Sequence, residues 1–378
     1  MNTPRLPSSC AILAGMMVIL AGSAGAQMRH HVGCYHPGTE YTPSKEIPAS
    51  AKTVKRYGLK SGITFNLSFA DAGTGVGFDD PTLGATRLAT VNSVISYLDS
   101  ILYHPGGRCD ILFERSQTDA TGFLAFATPL FLFQPGFAPG AAHTHITTGT
   151  DILPSQPDMS ITFDFGYQWN NDLGSPEFNE FDLFTVTLHE LVHGLGLISV
   201  TNAQGQSTVS PGLFSTFDER LHTVNPFQRL WNANGQIQSV PALSGGPNSV
   251  VFVGNEVNAV LGSNPFIFAQ DDFEENLFQQ GVSITHWQLP APGQPLPLMA
   301  PIFFSGDEVR ALLPFELAAL RDLGYRTGPV NPELTPDLAG PLLEGTPPSP
   351  TSDKNGDAIV DAADIIAPSA KSAPNQGS

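Results

Sequence analysis

Basic side chains are scarce in this chain: 17 Lys and Arg stand against 35 Asp and Glu over 378 residues, a formal net charge of −18. Affinity for a phosphate backbone comes from clustered Lys and Arg. Nucleic acid is therefore excluded as a partner class, and an anionic membrane surface with it. Cysteine is scarcer still, with three in all. Beyond residue 26 no apolar run reaches the roughly 20 residues a bilayer-spanning helix needs, so no membrane span is expected in the mature chain. Charged residues make up 14% and apolar ones 41%, enough apolar side chains to build one large core or two modest ones.

The compact apolar segment that does occur stands at the start. Arg5 supplies a positive n-region, Cys10 to Ala21 an apolar stretch, and Ala24-Gly25-Ala26 an A-x-A-like cleavage site. The stretch is too short to span a bilayer, so residues 1–26 read as a secretory signal. The mature protein is expected outside the cell or in a periplasm. Cys10 leaves with the signal, and Cys34 and Cys109 remain as a pair that an oxidising compartment can join in one disulfide. A second role for Cys34 stays open, as a thiolate that closes a metal site before activation.

Along the chain, residues 27–60 are polar and dotted with proline and read as an irregular arm. ITFNLSFAD (63–71) alternates in the manner of a strand, and the Gly/Asp-rich 71–84 reads as a loop. Residues 85–102 place Leu88, Val91, Val94, Ile95, Leu98 and Leu102 on one helical face. CDILFERS (109–116) and FLAFATPLFLF (123–133) read as strands, and SITFDFG (160–166) as an exposed or edge strand. His143 and His145 fall in a predicted loop, and His222 in a predicted short helix. FDLFTVTLHELVHGLGL (181–197) reads as a buried helix with Asn179 as its N-cap. Residues 200–285, rich in Gly, Asn, Gln, Ser and Pro, read as a loop-rich insertion or a second subdomain. PFELAALRDLG (314–324) carries Pro314 at a helix first turn and Gly324 at its stop. This order predicts a twisted sheet with helices packed against it, an α/β or α+β domain over 61–328. A Pro-rich linker follows at 329–352.

Inside the buried helix stand His189, Glu190 and His193. Residues four apart share a helix face, so both imidazoles can meet one metal ion, with Glu190 beside them to take a proton from water. Gly194 and Gly196 let the chain turn sharply afterwards. The pattern is similar to the metzincin metalloprotease motif HExxHxxGxx, which ends in His or Asp. Here that position is Ser199, a poor zinc ligand. The site is therefore either degenerate or completed from elsewhere.

Further on, Thr285-His286-Trp287, Leu298-Met299-Ala300-Pro301 and Leu320-Arg321-Asp322-Leu323-Gly324-Tyr325 follow in order. That punctuation resembles the leishmanolysin-like branch of the metzincins, in which a long insertion precedes the third histidine. The resemblance covers 181–326 and implies an α+β metzincin-type catalytic domain. That domain has a twisted mixed sheet, a zinc-binding helix, an insertion over about 200–285 and a C-terminal helix. It further implies His189, His193 and His286 as Zn2+ ligands, Glu190 as general base, Met299 as the turn methionine, and endopeptidase action on protein or peptide. SITFDFG is then expected to line the cleft and pair with extended substrate. The competing reading, motivated by Ser199 and by the C-terminal tail, is a non-catalytic exported adhesion or surface-binding protein on the same scaffold.

In that tail, DKNGDAIVDAAD sets Asp353, Asn355, Asp357, Asp361 and Asp364 at positions 1, 3, 5, 9 and 12, the spacing of a calcium loop. Residues 353–378 resemble half of a dockerin-type repeat, which implies Ca2+ and a cohesin-type partner. Ala358 replaces the usual glycine at position 6, and the segment reads equally as a solvated acidic tail.

Overall fold

The computed structural model describes residues 29–31, 51–57, 62–120, 123–132, 134–246, 248–269 and 278–328. The first part of the chain forms β1 (Arg29–His31), β2 (Lys52–Tyr57), β3 (Thr64–Phe69), α1 (Gly84–Ile101), β4 (Arg108–Phe113), β5 (Ala125–Pro129), β6 (Gly136–Ala138), α2 (Ala141–Thr148), β7 (Met159–Phe163), β8 (Trp169–Asn170), β9 (Phe181–Asp182) and α3 (Leu183–Gly194). The second part forms β10 (Leu213–Ser215), β11 (Leu221–Thr223), β12 (Gln228–Arg229), β13 (Val250–Phe252), α4 (Asn255–Leu261), β14 (Phe266–Ile267), β15 (Ile302–Phe304) and α5 (Pro314–Asp322).

A five-stranded sheet carries the order β2-β3-β4-β7-β5. β3, β4 and β7 run parallel, while β2 and β5 are antiparallel edges. The content is therefore mixed α+β on a mixed sheet. The 3.6-residue spacing of α1 does what it predicts: Val91, Val94, Ile95 and Leu98 are buried, and Leu88 packs at their margin. Beneath the sheet Phe69 stacks on Phe113 at 4.8 Å, and Phe78 meets Phe113, Phe163 and Phe165 edge-on. Rings of this size, wholly buried, each contribute about 1.5–3 kcal/mol, and these contacts hold the helix layer to the sheet.

A four-stranded antiparallel sheet, β12-β11-β13-β14, fills the region between α3 and the C-terminal segment. The expected insertion thus has a sheet of its own that shares the main core, while Val200, Val209 and Leu213 form a small second cluster with Phe131. Leu221, Val250, Phe252 and Ile267 belong to the same buried cluster as Phe65, Leu188 and Leu320. No helix among the described residues is long and apolar enough to cross a membrane. Residues 1–26, the linker 329–352 and the calcium-loop segment with Asp353, Asn355, Asp357, Asp361 and Asp364 lie outside the described residues, as does most of the 27–60 arm.

Several local expectations need correction. SITFDFG is not an edge strand: β7 lies between β4 and β5, and all five of its residues are buried. Its polar alternates are small hydroxyls that the core accepts, and Ser160 donates to Glu114 at 2.5 Å. The edge on that side is β5. His143 and His145 sit on α2, not in a loop, because the Ala-rich AAHTHITT runs unbroken between Gly140 and Gly149. His222 lies on β11, opposite Val251, with the single helical turn falling just before it at Asp218–Arg220. The N-cap of α3 is Asp182, whose carboxylate accepts from Thr185 N at 3.0 Å; at Asn179 the chain has not yet reached β9.

Candidate metal centre

α3 is apolar almost throughout, and each of its twelve residues is buried. It can be so because its polar groups are matched at both ends. At the start Asp182 takes the Thr185 amide and hydroxyl, and Arg310 grips Asp182 with two bonds of 2.6 and 2.9 Å. At the end Gly196 adopts φ +113, a conformation that favours glycine. Gly196 N returns to His193 O and Leu197 N to Val192 O, a left-handed helix stop. The stop also turns Leu197 O back toward the helix, where it accepts from His193 Nδ1 at 2.7 Å.

His189 and His193, one turn apart, project to one side and meet His286. The three Nε2 atoms form a triangle: 2.9 Å between His189 and His193, 3.1 Å between His193 and His286, and 3.2 Å between His286 and His189. All three residues are fully buried. His286 is delivered by the inserted sheet. Its carbonyl accepts from Phe268 N just beyond β14, and Ile284 N donates to Phe268 O. Ile284 itself takes a left-handed φ of +56, uncommon for a β-branched residue. That kink sits between Val282, whose carbonyl accepts from His286 Nδ1 at 2.9 Å, and His286 itself.

Each ring therefore gives its Nδ1 hydrogen to a backbone carbonyl: His189 to Leu298 O at 2.7 Å, His193 to Leu197 O and His286 to Val282 O. A carbonyl oxygen only accepts, so in the neutral rings Nε2 carries a lone pair and no hydrogen. Three lone pairs then converge within 3.2 Å with no donor among them, an arrangement that a cation satisfies. Burial also favours the neutral form of the two helix rings. It pushes His189 down to about 4, and His193, with the neighbouring imidazoles adding to the effect, lies well below its ordinary value. His189, His193 and His286 are thus a three-histidine cluster able to hold a metal ion.

Glu190 is fully buried on α3 beside His189. Met299 is buried in the turn that follows Leu298, whose carbonyl anchors His189. The same turn reaches the third histidine through Trp287 N, which donates to Met299 O at 2.9 Å. Ser199 is buried near Asp218, whose carboxylate accepts from the amides of Val200 and Ser215 and from the Ser215 hydroxyl. Cys109 is a free thiol, fully buried on β4, so the structure does not contain the bridge expected of it; Cys34 lies outside the described residues.

Two supports escaped the sequence reading. Glu316, fully buried on α5, accepts from Met299 N at 2.8 Å, Leu298 N at 3.1 Å and Leu313 N at 2.8 Å, so the methionine turn hangs on its carboxylate. Burial raises its pKa to about 7 against the pull of those amides. Its position three residues past the N-cap Leu313, a favoured place for a capping glutamate, was the available signal. Arg310, which binds Asp182 and the carbonyls of Leu173 and Gly174, had none. Two other histidines serve the fold: His143 Nε2 bonds Leu323 O, and His104 Nε2 accepts from Arg326 N.

Comparison with protein-family models, with curated proteins and with solved structures finds no match to this chain. What the fold and the site define is a class: an α+β protein with a buried three-histidine cluster that can hold a metal ion.

Proposed function

We propose that the chain is a secreted zinc-dependent endopeptidase of the metzincin type, closest in plan to the leishmanolysin-like branch. The observation that carries this reading is the Nε2 triangle, with all three Nδ1 hydrogens committed to carbonyls and Glu190 next along the helix. Nitrogens sharing one tetrahedral zinc at about 2.0–2.1 Å stand about 3.3 Å apart, within a few tenths of the separations here. The donor set, three neutral imidazoles from two segments, is a familiar catalytic zinc set that leaves room for a further ligand. A zinc ion held there supplies Lewis-acid chemistry, polarising a carbonyl and acidifying water.

The chain's own residues do the rest. Glu190 accepts the proton of the attacking water and returns it to the leaving amine. The edge strand β5, against which α3 packs, replaces β7 as the element free to pair with extended substrate. Met299 and Glu316 keep His189 and His286 in register. The competing reading, a non-catalytic surface-binding protein, drew on Ser199 and on the C-terminal tail, which lies outside the described residues; against the first, the third nitrogen of the cluster is that of His286. Glu190→Ala tests the activity: casein or gelatin cleavage is expected to fall by at least about a hundredfold with zinc content unchanged. Cleavage at the wild-type rate overturns the reading.

A further inference from the structure

A second group of metal-ligating side chains lies away from the histidine centre. Asp110 on β4, His145 on α2 and Asp151 in the loop after α2 each place one ligand atom within 4.8 Å of the others. His145 is 3% exposed, and its Nδ1 meets Asp158 Oδ2 at 2.9 Å. Asp158, itself 1% exposed, takes the amide of Asp110 on the same oxygen at 2.7 Å. A carboxylate that orients a histidine through Nδ1 leaves Nε2 as the ligand nitrogen, the support that metal-bound histidines commonly receive. Among the described residues the ring's hydrogen bond is made on the Nδ1 side, to Asp158.

The carboxylates are likewise part-committed. Asp110 Oδ1 takes Asn66 Nδ2 at 2.5 Å and Asp151 Oδ1 takes Leu153 N at 2.8 Å, and each side chain keeps a second oxygen. The charges acting on His145 are those of Asp158, Asp110 and Asp151, all negative. With the ring neutral, as a metal on Nε2 requires, the three carboxylates give the group a formal charge of −3, and a divalent cation offsets two of those charges. One imidazole with two carboxylates suits a first-row transition ion better than Ca2+ or Mg2+, which prefer all-oxygen sites.

We propose that Asp110, His145 through Nε2, and Asp151 bind a divalent transition-metal ion such as Mn2+ or Zn2+ that fastens α2 to the sheet, independently of the histidine centre. The position gives the ion a structural purpose. Asp158 leads directly into β7, whose first residue, Met159, packs so closely on Gly194 at the end of α3 that a side chain there would strike its sulfur. An ion fixing α2, β4 and the start of β7 thus braces the end of the helix that carries His193.

The test is a count of Mn2+ and of Zn2+ bound per chain by equilibrium dialysis of the metal-stripped full-length protein. Asp151→Asn, which preserves the turn to Leu153, and Asp110→Asn are compared with wild type and with His286→Ala. The site predicts that each Asp variant loses one ion per chain or binds it at least about tenfold more weakly, while His286→Ala retains it. Melting curves in metal-free buffer identify folded variants, and there the Asp variants should melt no lower than wild type. Equal ion counts in wild type and both Asp variants, or loss of all binding in His286→Ala, would overturn the proposal and leave the group as an ion pair around His145.

Discussion

Each imidazole of the cluster is oriented by a backbone carbonyl, and one of those carbonyls depends on a side chain from another element. Leu298 O is held where Glu316 fixes the amides of Leu298 and Met299. Glu316→Gln puts an amide N–H against backbone donors. It is expected to cost about 1–3 kcal/mol and to weaken zinc binding about 10- to 100-fold. Chelator competition measures the affinity, and an unchanged value in a destabilised protein would reduce Glu316 to a packing role. Asp218 gives a pH-dependent prediction. Burial raises its pKa from 3.8 to about 6, so between those values the folded state binds more protons than the unfolded one. Stability from this group is complete below pH 3.8 and is lost as pH rises through about 6. Asp218→Asn keeps an acceptor for Ser215 and Val200 but has no proton to lose. Its melting temperature should gain on wild type from pH 4 to pH 7, and a constant difference contradicts the assignment. At this scale His189, Glu190 and His193 were legible from spacing alone, since one helical turn fixes their common face. Ser199 was legible only as a departure; the buried Asp218 near it lies nineteen residues on, beyond any local pattern.

The helix that carries His189 and His193 is set by its two ends. Asp182 and Arg310 form a buried pair, 0% and 1% exposed, that caps the start of α3 and joins it to the segment before α5. Removing one partner strands the other's charge in the core, which costs about 3–5 kcal/mol. Arg310→Met is expected to lower the melting temperature by roughly 10 °C, and Asp182→Asn in the same chain should recover part of it. A variant that melts with the wild type would show that the pair does not hold the helix. Elements with one strong period were readable: α1, α3 and α5 lie within a few residues of their expected spans. Misreadings arose where two principles competed. β7 alternates polar and apolar as an exposed strand does, yet Ser160 and Thr162 are small enough to bury. α2 is a single short helix whose histidines, two apart, face Leu323 and Asp158 rather than one ligand.

For the whole molecule, one continuous core joins the mixed sheet, the inserted sheet and α5. The insertion is therefore part of the machine: β14 holds the strand-like segment that presents His286, and α4 packs against α5, which holds the methionine turn. No sequence period announces this, because the short strands of 200–269 are two or three residues each and their pairing is long-range. The central claim is that this assembly brings three histidines from two segments onto one zinc ion. Anomalous diffraction at the zinc absorption edge measures that directly. The account predicts a peak within about 2.1 Å of Nε2 of His189, His193 and His286 together. No peak at that position, or an ion bound by the two helix histidines with His286 turned away, would contradict it.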